Sequence, residues 1–180
     1  AVTIYANENE SVSSMLNKAQ PTVLLSAASG MSSSSSADAI QGILNQFNLS
    51  EDQAMHVADT VEKLSSEIAL DFSKGCDTIS QSIATSGSVV NEAGMSFEKY
   101  AALVSTTAEK TRVSGSQIGN AFKTIFSRIS RSKDGLTTDA EMSDAEAALK
   151  SVGVSVRRAD GDLRDISDTL DDLNKICIMQ

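Results

Sequence analysis

Three times along this chain a serine stands three residues ahead of a glutamine or glutamate, just before an apolar pattern of helical period: Ser50 with Gln53, Ser114 with Gln117, and Ser143 with Glu146. At that spacing the serine hydroxyl accepts from the backbone N–H three residues on, and the longer side chain reaches back to the serine N–H, so a helix start is specified locally. Each start needs a stop before it. Gly30, Gly94 and Gly153 close helical patterns where a left-handed residue is required. The chain therefore divides into several helices that must pack on one another. With 180 residues, aromatics at 4% and no tryptophan, that packing has to use small and aliphatic side chains.

The clearest of these helices is SGSQIGNAFKTIFSRISRSK, from Ser114 to Lys133. Ile118, Phe122, Ile125, Phe126 and Ile129 keep one face, with Lys123, Arg128 and Arg131 off it. Val113 ahead of the cap is placed to staple onto Ile118. Upstream, AGMSFEKY makes a helix-helix corner in which Gly94 ends one helix, Ser96 caps the next and Met95 staples onto Tyr100. The stripe is expected to bury against the helix of Met95 to Val104.

Other segments read in the same way. The run 10–29 carries Met15, Leu16, Ala19, Val23 and Leu24 on one face, and Pro21 inside it predicts a break into two short helices. Ala37 to Phe47 follows a run of serines; Ala54, Val57, Ala58, Val61, Leu64 and Ile68 form a further stripe; Cys76 to Glu92 turns Ile79, Ile83 and Val90 inward, with Gly87 as its weak point. Near the C-terminus the period changes. Val154 and Val156 alternate ahead of Asp160-Gly161, a favoured two-residue turn. The fold class is mainly α, a compact multi-helix bundle with one small β-hairpin near residues 154–164.

Charge is unevenly distributed in a chain of net -9. Between Ser96 and Lys133 seven basic residues face two acidic ones, net +5, leaving -14 elsewhere. That pattern suits either a solvated helix face or a patch for self-association. No specific nucleic-acid binding is expected at this acidity.

Motifs for catalysis and cofactors are not found in the sequence. His56 is the only histidine, Cys76 and Cys177 lack metal-ligand spacing, and no glycine-rich phosphate loop occurs. Asp134-Gly135 followed by Glu141 resembles half of a calcium loop, but Ser130 and Ser132 stand where carboxylates are needed. Neither metal nor cofactor is expected, and the chain is read as a non-enzyme.

The segments AGMSFEKYAALVSTTAEKTRVSGSQIGNAFKTIFSRISRSK and AALKSVGVSVRRADGDLRDISDTLDDL closely resemble the core region of phage tail tape measure proteins. The likeness rests on Thr107 to Arg112, Gly119 to Ile125, Gly153 to Arg157 and Asp160-Gly161, and it runs from about Asn45 to Leu173. Asp134 to Ser143 departs from the pattern. The resemblance implies a structural virion protein in the tail tube lumen that sets tail length during assembly and is released with the genome on infection. It implies residence in the host cytoplasm during assembly. Implied partners are other copies of itself, the tail tube protein, tail assembly chaperones and tail tip or baseplate proteins, with membrane contact only through other parts of the parent chain. On this reading residues 1–33 are an N-terminal helical segment and 34–180 a core helical module, together a fragment of a longer protein. Two rivals are a peptidoglycan-degrading or other enzymatic accessory domain and a helical interaction module of a secretion-type assembly.

Overall fold

Side-chain caps set most of the described helix starts. The computed structural model describes residues 12–130, 144–161, 164, 168–172 and 175. Its element order is α1 (Val12–Ser29), α2 (Ser33–Phe47), a 3-10 turn (Glu51–Gln53) leading into α3 (Ala54–Glu67), α4 (Phe72–Glu92), α5 (Phe97–Thr111), α6 (Gly115–Ser130) and α7 (Asp144–Ser151). Ser32 accepts from the Ser35 N–H at 3.0 Å ahead of α2, and Asp71 accepts from the Lys74 N–H at 3.3 Å ahead of α4. Between α4 and α5, Gly94 adopts φ 91° and the Met95 N–H reaches back to the Val90 carbonyl at 3.3 Å. A side chain at position 94 would meet strain in that left-handed backbone.

Helix α4 is the axis of the bundle. Ile79, Ile83 and Val90 are fully buried along it, and α6, α2, α3 and α5 all pack around it, with α6 making the most extensive contact. At Gly87 helix α2 comes close. A Cβ there would lie 2.8 Å from Gln46 Cβ and 3.2 Å from Phe47 Cε2, so glycine permits the approach where the sequence reading saw a weakness. In α3, Ala54, Val57, Ala58 and Val61 are buried and the helix ends at Glu67, with Ile68 extended beyond it.

Helix α1 differs from expectation twice. It runs unbroken through Pro21, which is buried. Proline withdraws the N–H that the Asn17 carbonyl would receive, but Asn17 is exposed to water and the Thr22 hydroxyl donates to the neighbouring Lys18 carbonyl at 2.7 Å. Its orientation also differs, although Ala19 is inward as expected. Ser14, Lys18, Ala19, Thr22, Leu25 and Ser29 face inward against α2 and α3, whereas Leu16, Val23 and Leu24 are exposed.

Among the described residues the predicted hairpin shows as a chain reversal with a bridge at Arg157 and no strand. Gly153 (φ 85°) ends α7, the Gly161 N–H bonds the Arg158 carbonyl at 3.1 Å, and the Arg164 N–H bonds the Val156 carbonyl at 2.9 Å. Side chains brace the reversal beside that backbone bond. Arg157 donates to Glu146 at 3.0 Å and to the Gly161 carbonyl at 2.7 Å; Arg164 donates to the Ser155 carbonyl at 2.9 Å and to Asp172 at 2.8 Å. Val154 and Val156 are buried beneath it.

Candidate functional site

The residues singled out in the sequence converge where α4, α5 and α6 meet. At the head of α6 the Gln117 N–H donates to Ser114 Oγ at 3.4 Å and the Ser114 N–H donates to Gln117 Oε1 at 3.2 Å, a reciprocal cap that fixes where the helix begins. Val113 beside it stays 40% exposed. One turn inside, the helix comes against α4 almost backbone to backbone. A Cβ on Gly115 would collide with the Thr78 carbonyl oxygen and lie 2.9 Å from Thr78 Cα; one on Gly119 would lie 2.7 Å from Thr85 Cβ and 2.8 Å from the Ser82 carbonyl oxygen. The four-residue spacing of the two glycines puts both on one side of α6, opposite small residues of α4.

This crossing corrects the expected partner of the stripe. Helix α6 lies principally on α4, and α5 reaches it through aromatic rings. Ile118 and Phe126 are buried and Phe122 is half-buried, but Ile125 is 47% exposed and does not belong to the core. Ile125 lies at the edge of the arc, on the side away from Gly119 and Phe126. Lys123 is exposed. The side chains of Arg128 and Ile129 lie outside the described residues.

Tyr100 joins the three helices. Its ring stands edge-on to Phe122 (centroids 5.6 Å apart) and Phe126 (6.3 Å), and Phe47 of α2 lies 6.3 Å away. Its hydroxyl lies 3.1 Å from Ser82 Oγ and 2.5 Å from Ser86 Oγ, both on α4. The proton order follows from the inventory of donors. Ser86 gives its one proton to the Ser82 carbonyl at 2.8 Å, so Tyr100 donates to Ser86 Oγ and Ser82 donates to the Tyr100 oxygen. Met95, at the α4–α5 corner, is buried in the same core, and Ser96 accepts from the Lys99 N–H at 3.4 Å. Gly153, Asp160 and Gly161 lie apart from this junction, in the reversal after α7.

The titratable groups here serve packing more than chemistry. Burial pushes the Tyr100 phenol up from its ordinary value, so it remains a neutral donor. Burial likewise raises the Cys76 thiol, and a protonated, fully buried thiol is a poor nucleophile. Burial, then Asp59, raises the Glu62 carboxyl. Among the described residues no group of three or more His, Cys, Asp and Glu is arranged to hold a metal, and no helix is long and apolar enough to cross a membrane.

His56 of α3 donates Nε2–H to Glu98 of α5 at 2.8 Å, with both side chains 49% exposed. That bond, first among the causes, holds the Glu98 carboxyl below its ordinary value of 4.5. A depressed carboxylate stabilises the fold above its unfolded value, and the contribution is lost as pH falls through the folded value. Replacing Glu98 by glutamine is therefore expected to cost less than about 1 kcal/mol at neutral pH. The gap between variant and wild type in urea titrations should close on acidification through the lowered Glu98 range; a gap that widens there contradicts the assignment.

The sequence reading missed the glycine pair, although Gly115-x-x-x-Gly119 is legible as a small-residue pattern on the face turned toward Thr78, Ser82 and Thr85. It also missed Ser82 and Ser86, which carry no local signal and gain their role only through Tyr100.

Comparison with known proteins agrees with the resemblance noted in the sequence. The profile of a family described as Phage-related minor tail protein matches residues 1–177. A curated relative, the Probable tape measure protein of Escherichia phage P2, is 26% identical over 145 residues, covering 81% of this chain and 16% of the relative. The chain thus spans about a sixth of the length of that relative. No solved structure matches. With nearly every residue covered by the profile, and with the α4–α6 junction built from the segments that carry the tape-measure likeness, the chain belongs to the phage-related minor tail protein family.

Proposed function

We propose that this chain is a folded helical module of a phage tail tape measure polypeptide, a structural part of the virion without enzymatic activity. In this reading the parent chain occupies the lumen of the tail tube, sets tail length during assembly in the host cytoplasm, and leaves with the genome on infection. Its partners are other copies of itself, the tail tube protein, tail assembly chaperones and tail tip or baseplate proteins. Residues 1–33 form the N-terminal segment and 34–180 the core module. The observation that carries the reading is the family match across residues 1–177. Helices that fold back on α4 do not add their rise to an extended length, so the module is a terminus, anchor or stop for the ruler and not a stretch of it.

The test is a deletion series in the parent gene outside this module. A straight helix rises about 1.5 Å per residue, so removing 100 residues of continuous helix is expected to shorten tails by about 150 Å. Electron micrographs of lysates would show it. Tails of unchanged length after such deletions would overturn the ruler reading.

A further inference from the structure

Helix α1 is docked by its polar side. Ser14, Lys18, Thr22 and Ser29 are buried, and the apolar residues buried with them are Ala19, Pro21 and Leu25. Of Leu16, Val23, Leu24 and Leu25 only the last faces the bundle. A surface helix ordinarily docks through its apolar stripe and draws most of its stability from that burial. Here the stripe faces water and the hold beneath it is thin. Thr22 and Ser29 turn their hydroxyls onto carbonyls of α1 itself, those of Lys18 and Leu25.

Lys18 reaches across. Its side chain is fully buried, Nζ donates to Gln41 Oε1 of α2 at 2.7 Å, and it lies 3.8 Å from Glu51 Oε1 in the 3-10 turn, so one ammonium spans the corner between α2 and α3. Gln41 is held in turn, its Nε2–H donating to Asn45 Oδ1 at 3.1 Å. Taking an ammonium out of water offsets much of what such bonds return, so this attachment is specific in direction but shallow in energy. Helix α1 also lies outside the shell around α4. It packs on α2, α3 and the 3-10 turn with only slight contact to α4, and among the described residues Leu25 is its one member of the buried apolar cluster.

We propose that α1 is a strap: it lifts from the bundle as one cooperative unit while the other helices stay folded, and Lys18 is the latch that sets how often it does so. Low-stability units of this kind arise where buried apolar contact is sparse. In the lifted form the sides of α2 and α3 beneath α1 are uncovered, and α4 keeps α2, α3, α5 and α6 around it. The inference does not rest on the ruler reading, since it concerns this fold whatever the parent chain does.

Amide hydrogen exchange on the full chain tests it, under conditions where the rate reports the opening equilibrium. The amides from Lys18 to Ala28 are expected to share one opening, at least about 100-fold more frequent than that of the slowest α4 amides. Gln41→Leu removes the acceptor of a charged donor and should make the α1 opening at least about tenfold more frequent, leaving the α4 amides within about threefold. Adding Lys18→Met to Gln41→Leu removes both partners, and the double variant should return to within about threefold of wild type. A single opening shared by α1 and α4, or exchange graded from one end of α1 as in simple fraying, overturns the strap. So does a Gln41→Leu chain that fails to fold, because the rest of the bundle is required to survive the loss of α1. An α1 opening that Gln41→Leu leaves unchanged, or a double variant that opens as often as Gln41→Leu alone, overturns the latch.

Discussion

Gly119→Ala is expected to destabilise the chain by about 1–3 kcal/mol, while Gly42→Ala is expected to stabilise it by roughly 0.4–1 kcal/mol. The chemical change is the same methyl group in the same kind of backbone. At Gly42, in α2, nothing lies within 4 Å of where the Cβ would sit, so alanine only restricts the unfolded chain and improves helix propensity. At Gly119 the methyl would lie 2.8 Å from the Ser82 carbonyl oxygen and 3.1 Å from Ser82 Cα, both backbone atoms that cannot rotate away. Helix α6 must then lift from α4, opening the contact on which the whole junction rests. Gly115→Ala meets the Thr78 backbone and is expected to act in the same direction, with coupling between the two because both move one helix. Denaturant midpoints of the three variants check this. Opposite signs at positions 42 and 119 are the expected result, and a stabilising Gly119→Ala would show that the close crossing does not exist in solution.

Phe126→Ala is expected to cost about 3–5 kcal/mol, the largest loss among single substitutions on α6. Its ring is 1% exposed and stacks edge-on with both Tyr100 and Phe122, so truncation opens a cavity bounded by three helices that cannot collapse together. Phe122, half-buried, should lose less. Ile125→Ala, with the side chain 47% exposed, should fall within about 0.5 kcal/mol of wild type, as should Lys123→Ala. The ordering Phe126, Phe122, Ile125 distinguishes the observed packing from a simple stripe, which would make all three alike. Comparable losses at positions 125 and 126 would contradict the placement of α6.

What could be read from the sequence was local. The caps at Ser50, Ser96 and Ser114 are bonds within one turn of chain, and Gly94 at φ 91° answers to a steric rule that needs no partner. The family likeness was legible for the same reason, since it rests on contiguous segments from Thr107 to Arg112 and from Gly119 to Ile125. What could not be read depends on residues distant in sequence. Periodicity treats apolar positions as inward, yet α1 turns Lys18 inward because Gln41, 23 residues on, receives its ammonium. Likewise Ile125 carries the right spacing but sits at the edge of a buried face that centres on Gly115, Gly119 and Phe126, and apolar periodicity ignores the glycines. The hairpin reading from Val154, Val156 and Asp160-Gly161 placed the reversal correctly, but the Arg157 and Arg164 side chains that brace it leave no trace in local alternation.

The central proposal is that α4, α5 and α6 form a folded unit of the proposed ruler polypeptide and not a stretch of extended helix. Deleting residues 97–130 in frame from the parent gene, followed by electron microscopy of lysates, tests it most directly. The account predicts defective tails or none, because α4 would lose both Tyr100 and the α6 crossing and the unit would not fold. Regular tails shortened by about 50 Å, the rise of 34 helical residues, would contradict it and make this region ordinary ruler.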